Sequence, residues 1–315
     1  MSNKTIAVVG ATGAQGGGLV RAILGDRAGG FAVRAITRKA TGDKAKALAD
    51  AGAEVAAADL DDAASVRRAF KGVHGAFCLT NYWEHFSVEK ELAQAATMAQ
   101  AAKDEGVRHV VWSTLEDTRK LVPLSDPRMP TLMDKYKVPH FDGKGEADAL
   151  FAARGVPTTY LLTSFYWDNL IHFGMGPKKG DDGKLGFVLP MGDKKLPGIA
   201  AGDIGACAYG IFKSGEKWIG KRVGIAGEHL TGAQMAAALW KALGREVVHR
   251  AVTPADFRAF GFPGADDLGN MFQYKAEFEA AFCGARDVAV SRSLYPGLQT
   301  FAQWLDANKS RIPVG

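Results

Sequence analysis

The hydrophobic positions of the first half fall into short apolar runs separated by stretches of helical spacing. Thr5–Val9 is one such run, ended by Gly10, as expected of a strand buried on both faces. Leu19, Val20, Ile23 and Leu24 then recur at the spacing of one helix face. The alternation continues with strands at Phe31–Thr37, Glu54–Ala58, Val73–Thr80, His109–Ser113 and Thr158–Leu162. Helices fall between them at Lys44–Ala51, Ser65–Phe70, Val88–Lys103 and Gly145–Arg154. Strands alternating with helices predict an α/β fold, a doubly wound parallel sheet of Rossmann type with right-handed crossovers.

Two regions break the rhythm. Glu116–Pro139 holds four prolines and no clear period, and a stretch of this length inside a domain suggests a functional element such as a flap over the site. After Ile171, Gly174–Gly186 is rich in glycine, proline and lysine, and Leu185–Leu189 and Lys194–Ile199 read as a hairpin around Met191-Gly192-Asp193. A helix follows over Asp203–Phe212, with Asp203 as its N-cap, then a strand at Arg222–Ala226. Thr231 caps a helix over Gly232–Leu243, with Met235, Leu239 and Leu243 on one stripe, and the tail is mostly helical. The expected organisation is a dinucleotide-binding domain over 1–160, with about 200–227 returning to it. A smaller α+β domain is made of 161–199 and 228–315.

Composition narrows the function. The chain has 315 residues, 47% hydrophobic and 23% charged, ordinary for a globular protein of one large domain or two unequal ones. Its net charge of +5 is scattered among acidic residues rather than clustered, which argues against nucleic-acid binding and suits an anionic small ligand. Three widely spaced cysteines, without a CxxC pair, make neither a disulfide framework nor a metal site. The start of the chain lacks a signal-peptide pattern, and no apolar run approaches the ~20 residues of a membrane span. A cytoplasmic protein is expected.

The residues Gly10-Ala11-Thr12-Gly13-Ala14-Gln15-Gly16 form G-x-x-G-x-x-G between the first strand and the first helix. Gly10 allows a tight turn, Gly13 lets the backbone approach a pyrophosphate, and Gly16 lets helix pack on strand. The helix start supplies free N–H groups and a positive dipole end for the phosphates. The second strand ends Ile36-Thr37-Arg38-Lys39, with no carboxylate for a ribose 2′-OH and two cations for a 2′-phosphate. NADP(H) is therefore the preferred cofactor, and NAD(H) the alternative. Asp59-Leu60, ending the third strand, either meets the adenine edge or caps the next helix. Thr80-Asn81-Tyr82 follows the fourth strand, where the chain passes the cofactor's middle.

The catalytic pair of short-chain dehydrogenases, Tyr-x-x-x-Lys, is missing. Tyr136 lies eight residues before Lys144, out of register, and His140 stands four residues before it. Lys144 fits the lysine position, and His140 is an acid-capable residue where the tyrosine would be. Gly143 between them disfavours a continuous helix. Either the pair takes part in chemistry, or Lys144 only anchors the ribose and His140 is a loop histidine. Ser113 ends the fifth strand, where such enzymes keep a substrate-orienting serine.

Together with the glycine turn, Thr80-Asn81-Tyr82-Trp83-Glu84, His140–Glu146 (HFDGKGE), Trp167-Asp168-Asn169-Leu170 and Gly261–Ala265 (GFPGA) resemble the NmrA-like family of atypical short-chain dehydrogenases/reductases, and within it the HSCARG-type redox sensors. The resemblance implies NADP(H) held through Gly10–Gly16, Arg38, Asn81, Tyr82, Lys144, Tyr166 and Asn169. It implies a protein that senses the NADPH/NADP ratio and binds a regulatory protein partner, as a monomer or homodimer. It also includes working reductases, among them quinone reductases. One departure stands out: the sensors carry a basic cluster after the arginine, and here the expected lysine falls at Gly42.

Overall fold

A computed structural model of the chain describes residues 3–180 and 182–314. The outermost residues of the two domain ranges, and Asp181 within the glycine-rich stretch, lie outside them. The first half runs β1 (Lys4–Val8), α1 (Ala14–Gly25), β2 (Phe31–Thr37), α2 (Asp43–Asp50), β3 (Glu54–Ala57), α3 (Ala63–Phe70), β4 (Gly75–Cys78), α4 (Val88–Asp104), β5 (His109–Thr114), α5 (Pro139–Ala153) and β6 (Thr158–Leu162). The second half continues with β7 (Phe165–Tyr166), α6 (Asn169–His172), β8 (Lys178–Lys179), β9 (Leu185–Val188), β10 (Lys195–Ile199), α7 (Ala201–Lys213), β11 (Arg222–Gly224), β12 (Glu228–Thr231), α8 (Gly232–Leu243) and β13 (Val247–Arg250). It closes with α9 (Pro254–Ala259), α10 (Ala265–Glu277), α11 (Glu279–Gly284), α12 (Val288–Leu294) and α13 (Phe301–Asn308).

Seven strands form one sheet in the order β11-β6-β5-β4-β1-β2-β3. Every neighbouring pair is parallel. Strand alternation divides the core. Ile6 and Val8 of β1 pack with Leu19, Val20 and Ile23 of α1 and Ile204 and Ile211 of α7. Ala7, between them, faces the opposite layer with Val66 and Phe70 of α3, Met98 of α4 and Phe151 of α5. This is the doubly wound sheet the alternation predicts. The strand order reverses between β1 and β4, and in such sheets the ligand crevice lies at the carboxyl ends of the strands flanking that reversal.

The second half supplies β11 to the sheet edge and α7 to its face. Helices α1 and α7 meet backbone to backbone. A Cβ on Gly205 would lie 2.0 Å from the Leu19 nitrogen, and one on Gly18 2.2 Å from the Gly202 oxygen. A separate aromatic core, with Trp167, Phe187, Phe272 and Trp304, lies under two three-stranded sheets, β12-β10-β7 and β13-β9-β8. Among the described residues no helix is long and apolar enough to cross a membrane.

Three expectations are corrected. The hairpin at 185–199 does not form. Strand β9 pairs with β8 and β13, while β10 pairs with β12 and β7, because a buried alternating run fixes a strand's faces but not its partner. Asp203 is not an N-cap. Helix α7 starts earlier, with Ala200 at the cap, and the Asp203 carboxylate accepts hydrogen bonds from the Gln299 backbone and side chain, at 2.8 and 3.0 Å. The helix expected from Gly145 begins at Pro139 and runs unbroken through Gly143. Its glycines make room for neighbours: a Cβ would lie 2.8 Å from Val88 at position 143 and 2.6 Å from Asp117 at position 145. The 116–139 stretch, read from the sequence as an element such as a flap, is anchored by side chains of α5 and α10. The buried Asp142 carboxylate accepts from the Thr118 hydroxyl and from the backbone of Thr118, Lys137 and Val138. From α10, Asn270 donates to the Pro130 and Lys137 carbonyls, and Gln273 to that of Arg128.

Candidate functional site

The glycine turn sits at the sheet's reversal point. Gly10 has φ +64°, in the region that favours glycine. Gly16 faces the Gly10 carbonyl so closely that a Cβ would lie 2.4 Å from it, so helix and turn fit only without a side chain there. Gly13 caps α1 with no side-chain acceptor, and the first turn carries no acidic residue. Gly13 and Ala14 are exposed, and Thr12 is half-buried beside them. A bare, positively polarised helix start with room for close approach is the cradle a pyrophosphate needs. The residues present fit a dinucleotide.

Three polar clusters surround this cradle. On its floor the Ser113 hydroxyl donates to Gln15 Oε1 at 2.9 Å, and Gln15 Nε2 donates to the Tyr166 hydroxyl at 2.6 Å. This chain ties the turn to the ends of β5 and β7. Burial pushes the Tyr166 phenol up, keeping it protonated. At the far side Arg38, following Thr37 at the end of β2, pairs with Glu84 Oε1 at 2.5 Å. Behind the cradle Lys144 donates to the Thr80 carbonyl (3.1 Å), the Thr80 hydroxyl (2.7 Å) and Glu91 Oε1 (3.1 Å). Those three bonds use all three N–H donors of the ammonium.

The continuous α5 places His140 one turn before Lys144, on the same face. His140 is buried, and its Nδ1 lies 2.6 Å from Asp267 Oδ1 of α10. The second Asp267 oxygen accepts from the His140 backbone nitrogen, so one carboxylate fixes both the ring and the start of α5. The ring centroid lies 4.8 Å from that of Trp83. His140 is thus a positioned, carboxylate-oriented residue of a helix and not a loop histidine.

Other expected site residues are placed differently. Tyr82 is buried with Val88 and Tyr136 beneath the segment that follows β4, while Asn81 is exposed on its surface. Asp59 does not cap α3. That role belongs to Asp62, whose carboxylate accepts from Ala64 and Ser65, while Asp59 accepts from the Asp61 backbone nitrogen in a turn. Leu60 packs at the edge of the core on the α3–α5 side. Asn169 opens α6, half-buried, after Asp168, which accepts from the Ala201 nitrogen.

Glu91 and Asp267 were not among the residues singled out from the sequence, and Glu84 stood there only as the last residue of the family string, with no role assigned. Glu91 carried a signal: with Val88, Gln94, Ala95 and Met98 it lies on the buried stripe of α4, and a carboxylate at a core position requires a partner. Cys78 and Cys207 are buried and Cys283 half-buried, all unpaired, and burial pushes each thiol up. No group of His, Cys, Asp and Glu among the described residues could hold a metal ion.

Comparison with known proteins agrees with this geometry. The family model described as "NmrA-like family" matches residues 2–305. An NmrA-like family domain-containing oxidoreductase, FrzB of Cladobotryum sp, is 28% identical over 289 residues, 85% of this chain and 83% of that protein. The NAD(P)H azoreductase of Xenophilus azovorans is 28% identical over 250 residues, covering 79% and 77%. Among solved structures, the negative transcriptional regulator NmrA in complex with NADP superposes with a TM-score of 0.77 at 25% identity, covering 97% of this chain and 95% of that one. The same regulator has also been solved with NAD.

Proposed function

The chain belongs to the NmrA-like family, and from that premise we propose that it is a redox-sensing regulator. It binds NADP(H) in preference to NAD(H) and does not use Tyr-x-x-x-Lys catalysis. The pyrophosphate rests on Gly10, Thr12, Gly13, Ala14, Gln15 and Gly16. Thr37 and Arg38 take the 2′-phosphate end, with Asp59 and Leu60 along the adenine. Thr80, Asn81 and Tyr82 flank the middle, and Lys144, Tyr166 and Asn169 hold the nicotinamide end. When bound, the nicotinamide supplies or takes up a hydride. The NmrA complexes with NADP and NAD support this reading.

One observation carries the sensing role. The segment after β4 holds both cations of the site, Lys144 through Thr80 and Arg38 through Glu84. A dinucleotide that recruits either cation exchanges a bond within the protein for one to itself. Occupancy is thereby converted into a rearrangement of residues 80–84, a differential contact a partner protein can read. Hydrogen exchange with and without NADPH tests this: protection should change at 80–86, and unchanged exchange there during saturated binding contradicts it.

A second reading, an NAD(P)H-dependent reductase of a quinone or similar carbonyl, draws on one contact. Asp267 fixes His140 four residues before Lys144, the register of the missing tyrosine, and an oriented imidazole can deliver a proton. Mixing the protein with NADPH and a quinone panel separates the two. Turnover lost in both His140→Phe and Lys144→Ala supports the reductase. Micromolar binding without turnover supports the sensor.

A further inference from the structure

Arg38, the residue aimed at a 2′-phosphate, already has a carboxylate on it. Glu84 Oε1 lies 2.5 Å from Arg38 Nη1, and the two side chains are 45% and 62% exposed. Their positions in the sheet give the pair its meaning. Arg38 follows β2 and Glu84 ends a short 3₁₀ turn after β4, with β1 between those strands. Adjacent strands lie about 4.8 Å apart, so the exits of β2 and β4 are about 10 Å apart. The ion pair therefore bridges the exit of β1, where Gly10 begins the phosphate turn. Among the described residues, Arg38 has no other carboxylate partner, and neither Lys39 nor Lys44 is ion-paired.

Given the dinucleotide reading of the glycine turn, on which this rests, we infer that Glu84 limits the preference for NADP(H) by competing for Arg38. A 2′-phosphate carries a charge of roughly −1.5 to −2 and seeks the same guanidinium fork. With Glu84 on Nη1, a 2′-phosphate reaching for the same fork meets an ionised carboxylate at close range, so NADP(H) must either open the pair or bind against that repulsion. The 2′-OH of NAD(H) is neutral and can donate to the carboxylate, so NAD(H) leaves the pair closed. Glu84 thus acts against the 2′-phosphate through Arg38 and favours the dinucleotide that lacks it. The departure at Gly42 fits this picture: with no cation at that position, the contest for Arg38 weighs more in the selectivity, and the unpaired Lys39 next to it keeps NADP(H) favoured.

The test is calorimetric titration of NADP⁺ and NAD⁺ into the wild-type protein, Glu84→Gln and Arg38→Ala at one ionic strength. Removing the charge of Glu84 should raise the ratio of NADP⁺ to NAD⁺ affinity by about three- to tenfold, the scale of an exposed ion pair plus a relieved like-charge contact. In an Arg38→Ala background the same change should move the ratio less than twofold. Hydrogen exchange at residues 83–86, around Glu84, should change more with NADP⁺ than with NAD⁺ at equal saturation, and Glu84→Gln should remove that difference, a readout that a merely structural glutamate would not produce. A ratio unchanged or lowered in Glu84→Gln, with both nucleotides still binding, overturns the role of Glu84 and leaves the dinucleotide site standing. Failure of both nucleotides to bind the wild-type protein overturns the site as well.

Discussion

Lys275, on the inner face of α10, carries its ammonium over the rings of Phe141, Phe272 and Phe282, at 5.3, 5.6 and 5.3 Å. Burial pushes its pKa down to about 7, and nearby Arg286 adds to the push. An unfolded lysine keeps its ordinary value near 10.5. Between those two values the unfolded chain binds one more proton than the folded one, so this group makes stability rise with pH, by about 1.4 kcal/mol per unit. Lys275→Met removes that slope. By urea titration the variant should be the more stable protein at pH 7.5, and its advantage should shrink by about 2–3 kcal/mol at pH 9.5. Lys144 behaves in the opposite way. Its partner Glu91 is 1% exposed, so Lys144→Ala strands a buried charge and should cost about 3 kcal/mol of stability as well as dinucleotide affinity. Lys144→Met combined with Glu91→Leu should recover the stability and not the affinity, which denaturation and titration of the same samples would show.

At the scale of elements, α1 holds glycines of two kinds. Gly25 has nothing within 4 Å of where a Cβ would lie, so Gly25→Ala should stabilise the helix by about 0.5–1 kcal/mol. Gly18→Ala, on the same helix, places a Cβ against the Gly202 carbonyl and should lower the melting temperature sharply. The loop between β5 and α5 depends on Asp142. Asp142→Ala leaves four donors without their acceptor, and limited proteolysis should then cut between residues 121 and 134, where the wild-type protein resists. The same elements show what could be read in advance. All seven strands of the sheet were legible, the central β4 and β5 because, buried on both faces, they appear as continuous apolar runs, and the edge strand β3, which buries no residue fully, from its place in the alternation. The partners of β9 and β10 were not, since a period of two says nothing about the neighbouring strand. The start of α5 was hidden by Gly143 and Gly145, whose use is space for Val88 and Asp117, residues distant in sequence. In the site, the glycine turn, Arg38 and Lys144 were visible as residue types in register. Glu84 was not, because its meaning comes from a strand order that crosses β1.

For the molecule as a whole, a dinucleotide in the cleft would touch groups from both halves of the chain, from Gln15 to Tyr166 and Asn169. Binding should therefore stabilise the whole fold. NADP⁺ at a hundred times its dissociation constant adds about 2.7 kcal/mol and should raise the melting temperature by a few degrees, with NAD⁺ at the same concentration giving less. Equal shifts with the two nucleotides would contradict the preference assigned through Arg38.

The close seating of α1 on α7 also bears on how the protein is made. The glycine face of α1 is complete once residue 25 is synthesised, yet the backbone it fits belongs to residues 201–213. At about 5–20 residues per second, that partner leaves the ribosome roughly ten to forty seconds later. Throughout that interval Leu19, Val20 and Ile23 lack half of their covering layer. The nascent chain must carry this exposed stripe until the second half arrives, which makes α1 the natural contact for a chaperone and a chain ending before α7 the natural substrate for aggregation.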